Sequence, residues 1–230
     1  MLERARAAGI TAVVAVGETL ADAERNLELA RIHPEVRPAA GLYPTHLDLD
    51  QAQAVCEWIR AHRDRLVAVG EVGLDQWKVR EPVDLERQRE IFDRQIDLAI
   101  ELDLPLNVHS RSTARQAIER LLARGARRVQ LHAFDGRAAT ALPAVDAGYL
   151  FSIPPSIVRS TQKQKLVRRL PLSAILLETD SPVLGAEPGE RNEPARLRVA
   201  LAAVAELKGL AEQEVAEAVA ENTRRLYGAL

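Results

Sequence analysis

Short apolar runs alternate along the whole chain with longer amphipathic stretches, and no other feature constrains the fold so strongly. The runs fall at Thr11–Val16, Val36–Leu42, Leu66–Glu71, Leu104–His109, Arg128–His132, Tyr149–Ile153 and Ala174–Glu178. Between them lie helical patterns near 18–32, 49–63, 84–102, 112–125, 137–147 and 160–169, followed by a helical tail from about 193 to 228. Regular βα alternation predicts a parallel sheet covered by helices. A helical segment at 1–9 precedes the first run, so the pattern opens in the middle of a repeat. Seven strands and a leading helix predict an α/β, TIM-type (β/α)₈ barrel lacking its first strand, with residues 1–230 as one domain. An open doubly wound sheet is the alternative. The barrel is favoured because Gly-rich phosphate fingerprints are missing and polar residues recur at the carboxyl ends of several strands.

With 47% of 230 residues hydrophobic and 28% charged, the chain has the material for a substantial core. A net charge of −2 argues against a broad basic surface that grips nucleic acid by counterion release, so any such binding must be local. The longest apolar run near the start, Ala12 to Val16, is too short for a secretory core or a membrane span. The single cysteine, Cys56, lies in an apolar helical pattern with Val55, Trp58 and Ile59 and predicts a buried free thiol. Together these features predict an intracellular protein, cytoplasmic or nuclear, without membrane association.

Four apolar runs end in a residue able to bind a metal: Leu66-Val-Ala-Val-Gly-Glu71, Leu104-Pro-Leu-Asn-Val-His109, Val129-Gln-Leu-His132 and Ile175-Leu-Leu-Glu-Thr-Asp180. In a parallel barrel those ends share one rim. Imidazole nitrogens and carboxylate oxygens converging there suit zinc, manganese or magnesium, and a bridging carboxylate can hold two ions about 3.5–4 Å apart. Any one of these residues alone reads more simply as a cap; the pattern rests on four at matched ends. His33 and His62 read as helix-end residues instead. Asn107, Gln130 and Glu178 each precede a candidate ligand by two residues, so strand parity places them on its face, one layer deeper. There they would orient the ligands, unless the parity slips at the rim.

Gly70-Glu-Val-Gly-Leu-Asp75, Val108-His-Ser-Arg111, Leu131-His-Ala-Phe-Asp-Gly136, Leu177-Glu-Thr-Asp-Ser-Pro182 and Arg191-Asn-Glu-Pro194 occur in this order. Taken together they resemble the TatD family from about Gly9 to the C-terminus. The resemblance implies a TIM-barrel metallo-hydrolase that cuts phosphodiester bonds, typically a deoxyribonuclease working from the ends of DNA strands. It implies that Glu71 bridges two divalent ions, that His109 and His132 bind one of them, and that Asp180 binds the other or takes a proton from the attacking water. Two departures stand out. The family's opening Asp-x-His-x-His strand has no counterpart, and Tyr43 in Gly41-Leu-Tyr-Pro44 stands where the family usually has histidine, with His46 in the same loop.

Arg111, two residues past His109, and Arg191 with Asn192 after the last strand are candidate phosphate contacts; a salt bridge to a loop carboxylate is the plainer reading of Arg111. The segment Arg159–Arg169 carries five basic residues and reads either as a guide for a nucleic-acid strand or as a helix capped by Ser160 with a solvated face. Trp77 is either a stacking surface for a base or a loop anchor. Gly70 and Gly73 bracket Glu71 and read as sites of close packing. The competing functions are an amidohydrolase-like enzyme acting on a small ester, lactone or amide, and an inactive barrel retained for binding.

Overall fold

The computed structural model describes residues 1–229. Seven strands, β1 (Val13–Ala15), β2 (Val36–Ala40), β3 (Ala68–Gly73), β4 (Leu106–His109), β5 (Val129–Leu131), β6 (Leu150–Ile153) and β7 (Ile175–Leu177), pair in parallel and in chain order into one curled sheet. The helices are α1 (Leu2–Ala7), α2 (Leu20–Ile32), α3 (Leu49–Ala61), α4 (Pro82–Glu101), α5 (Ala114–Ala123), α6 (Ala138–Asp146), α7 (Thr161–Arg169), α8 (Leu197–Lys208) and α9 (Glu212–Tyr227). The architecture is the expected TIM-type α/β fold in half-barrel form, because β1 and β7 do not pair and the eight strands of a closed barrel are one short. The segments flanking the two open edges are tied together. Helix α1, leading into β1, packs on the turn that follows β7, and Arg4 Nε donates to Glu193 Oε1 at 2.9 Å.

Local sequence explains the element ends. Thr19 and Asp22 form a reciprocal capping box on α2, and Asp48 accepts from Asp50 N and Gln51 N at the start of α3. Ala52, Val55, Cys56 and Ile59 then recur at helical spacing and bury one face of α3, which places Cys56 in the core as a free thiol. His33 and His62 cap the C-terminal ends of α2 and α3, as their positions suggest. The expected helical tail consists of two helices. Gly209 adopts φ +67° and closes α8 with a left-handed cap, after which α9 begins at Glu212.

The main core lies between the sheet and its helices, with Phe92, Phe134, Phe151 and Tyr149 fully buried. A second cluster fills the concave side of the sheet: Ala39, Ala68, Leu150 and Leu176 are small or flexible enough to admit Leu226 and Tyr227 from the last turn of α9. The Tyr227 hydroxyl donates to Gln130 Oε1, and Gln130 Nε2 donates to Ser152 Oγ at 2.8 Å. Gln130 therefore faces the interior as parity requires, but its partners belong to this inner packing and not to a candidate ligand.

Candidate metal centre

Strand β3 delivers Glu71 through a break in its ladder. Val69 pairs with Leu106 and Val72 with Val108, so Gly70 and Glu71 together oppose Asn107. Such a bulge turns a side chain out of strict alternation. A Cβ on Gly70 would lie 2.6 Å from Asn107 Cβ, which is why the strand can approach so closely only with glycine there. His109 is the last residue of β4 and His132 the first after β5, and Val108 O accepts from His132 N at 3.0 Å to hold that end in place.

Glu71 Oε1 lies 2.9 Å from His109 Nδ1 and 3.2 Å from His132 Nε2, and the two nitrogens are 3.4 Å apart. Tetrahedral bonds of about 2.1 Å hold donor atoms about 3.4 Å from one another, so the triangle fits a divalent ion with little spreading. The opposite nitrogen of each ring faces a carboxylate. His109 Nε2 is 3.1 Å from Asp75 Oδ2, and His132 Nδ1 is 3.4 Å from Glu178 Oε2. Outer carboxylates of this kind fix the ring orientation and leave the inner nitrogen free to donate a lone pair. The donor chemistry and the geometry both suit a metal.

Asp180 stands beside this triangle and outside it, with Oδ1 3.9 Å from His132 Nδ1 and a left-handed backbone at φ +55°. Arg111 is exposed at the rim, its guanidinium carbon 3.8 Å from the centre of the Trp77 ring. Arg191 is exposed on the loop after β7 and makes no hydrogen bond or ion pair among the described residues. Asn192 is placed differently from the expectation. Its side-chain nitrogen donates to Thr179 O at 2.6 Å and Val183 O at 2.8 Å, and its oxygen accepts from Glu193 N at 3.0 Å. With all its polar groups occupied by the loop, Asn192 shapes the Asp180 segment and has none left for a phosphate.

Electrostatics follow from the packing. Burial would raise the Glu71 carboxyl, but the imidazoles of His132 and His109 outweigh it and hold the group well below the usual carboxylate range. Burial likewise opposes charge on the rings, yet Asp75 and Glu71 lift His109, and Glu71 and Glu178 lift His132 above the ordinary histidine value. Asp180 is pushed up to about 6 by burial, with Glu178 and Glu71 adding to the effect. In the metal-free protein the raised imidazoles contribute stability that is complete below about pH 6.5 and fades as pH rises through their folded values. A metal requires the same rings neutral, so its binding releases protons and tightens with rising pH. Thermal unfolding should therefore show a Mn²⁺-dependent gain, relative to protein in EDTA, that is larger at about pH 8.5 than at about pH 6. A gain that shrinks over this interval would contradict the two histidines as donors.

A sequence profile described as TatD related DNase matches residues 1–228. The chain belongs to the TatD family. A human protein named deoxyribonuclease TATDN3 is 44% identical over 99% of this TatD chain and 87% of its own length. A Mycobacterium tuberculosis protein named as an uncharacterized metal-dependent hydrolase, TatD, is 38% identical over 99% of the chain and 90% of its own. The crystal structure of an Escherichia coli TatD homologue, YjjV, superposes with a TM-score of 0.92 at 28% identity, covering 100% of this chain and 91% of that one.

Two residues of this TatD chain, Asp75 and Glu18, lie at the centre without having been singled out from sequence. Asp75 was visible only as a motif letter; it is fully buried, and besides facing His109 it accepts from Lys78 N at 2.8 Å. Glu18, after β1, is raised by partial burial and by the charge of Glu71, which places a further acid near the ligands. Tyr43 sets its ring edge-on to His109 at 5.1 Å, and His46 does not join the cluster. Helix α7 is capped by Ser160 as expected, but its basic residues are not all solvated. Lys163 is buried and donates to Ala133 O at 2.8 Å, while Glu178 Oε1 accepts from Ala133 N at 2.7 Å. These two side chains clamp the residue after His132, whose φ of +43° needs such support.

Proposed function

We propose that this chain is a metal-dependent phosphodiesterase that hydrolyses DNA from strand ends. One observation carries the reading: three donor atoms from Glu71, His109 and His132, contributed by consecutive strands β3, β4 and β5, lie within 4.8 Å of one another at one rim of the sheet. These residues would hold one divalent ion, magnesium, manganese or zinc, and Glu71 with Asp180 would contribute to a second. A bound divalent ion supplies Lewis acidity to a phosphate oxygen and makes water a nucleophile near neutral pH. Asp75 and Glu178 keep the imidazoles aimed inward. Asp180, beside His132, either completes that second site or accepts the proton of the attacking water. Arg111 and Arg191 meet the non-bridging oxygens of the phosphate, Arg111 with a fork that suits two of them.

The test compares substrates on the metal-loaded protein. Single-stranded DNA should be shortened from its ends in Mn²⁺ or Mg²⁺ and left intact in EDTA. Intact DNA alongside cleavage of a lactone or carboxylic ester would replace the nuclease reading with the amidohydrolase-like one.

A further inference from the structure

The loop between β3 and α4 carries a feature that metal binding does not use. Trp77 is 47% exposed, although Leu74 and Val79 already anchor the loop at 2% and 7% exposure. The Arg111 guanidinium lies over its ring at 3.8 Å, Lys78 Nζ is 5.3 Å from the ring centre, and Arg80 Nε donates to the Trp77 carbonyl at 3.3 Å. Covering the core does not require an aromatic face half open to water with two cations against it, and Arg80 is held on the backbone of the same turn. The same arrangement suits a nucleotide, because the ring stacks on a base while the cations meet the phosphates on either side.

We propose that Trp77, backed by Arg111 and flanked by Lys78 and Arg80, is a stacking platform for the nucleobase adjoining the phosphate that is cut. The proposal rests on the DNA-hydrolase reading of the neighbouring centre. Its position follows from shared anchors. Asp75 faces His109 through Oδ2 and holds Lys78 N through Oδ1, and Gln76 N donates to Arg111 O at 3.1 Å, so one short turn connects the metal ligands to the platform. The chain is net negative, and these cations provide a local grip of the kind that a weakly acidic protein needs to hold DNA.

The chain has two tryptophans, so Trp58→Phe leaves Trp77 as the sole reporter. In EDTA, a short thymidine oligonucleotide should quench its fluorescence, whereas the same oligonucleotide with abasic ends should not. With Mn²⁺ present, Trp77→Ala should raise KM for the intact oligonucleotide about tenfold with kcat within about twofold, and Trp77→Phe should restore most of it. Abasic-ended DNA should be cut with the same KM by all three proteins. Equal quenching by both oligonucleotides, or a Trp77→Ala effect of equal size on both, overturns the platform while leaving the hydrolase reading intact. Base-dependent quenching without any cleavage supports the platform and removes the hydrolase.

Discussion

Glu71→Gln should remove both hydrolysis and tightly held metal. Its Oε1 lies within 3.2 Å of both imidazole donors, and its negative charge is what the buried pair of rings opposes. The amide keeps the shape but withdraws the charge from a pocket in which Glu71 is almost fully buried, so an ion there loses the one anionic donor of the triangle. Loss of an outer partner such as Glu178 typically costs metal sites 10–100-fold in affinity or activity; loss of the central donor should exceed about 100-fold. Elemental analysis of the purified variant, with circular dichroism to show that it is folded, checks this. Metal retained at the parent stoichiometry would remove Glu71 from the centre.

Gly73→Ala should be the most damaging single-methyl change in the molecule. The residue has φ +139°, and an added Cβ would lie 2.0 Å from the His109 carbonyl oxygen, a backbone atom within the β3–β4 ladder. Relief requires the two strands to part where they present Glu71 and His109. A cost above about 4 kcal/mol is expected for such a conflict, enough to lower Tm by about 10 °C or to leave the protein insoluble. Gly209→Ala is the control. Its φ of +67° is also left-handed, but nothing lies within 4 Å of the added carbon, so about 1 kcal/mol is expected. Similar Tm losses for the two variants would mean that the close approach of β3 to β4 does not limit stability.

Much of the centre could be read from the sequence because strand periodicity and parallel pairing are local rules. An apolar run ending in a donor predicts a donor at the rim, and Glu71, His109 and His132 converge there. Parity also placed Glu178 correctly beneath Asp180, where it meets His132. The same rule put Gln130 on the inner face but could not name its partner, since Tyr227 is 97 residues away and arrives by the packing of α9. Lys163 defeated the reading for a related reason. A basic residue in a short helix looks solvated, and only the turn after β5 supplies the carbonyl that draws it inward. Asn192 follows the last strand as a substrate contact would, yet its partners are carbonyls of its own loop, a pairing that no spacing rule reveals. Asp75 lies on a turn, where neither period applies.

The seating of Tyr227 under the polar layer also orders events in time. All three candidate metal donors precede Gln130's hydroxyl partner in synthesis, and that partner follows Gln130 itself by 97 residues. A chain emerging from the ribosome thus exposes every ligand before it owns the ring that fills the concave face behind them. Contacts of such sequence separation form late, after their loop-closure entropy has been met. The finished centre is therefore a product of the completed chain, and a nascent TatD polypeptide carries its ligands without the packing that supports them.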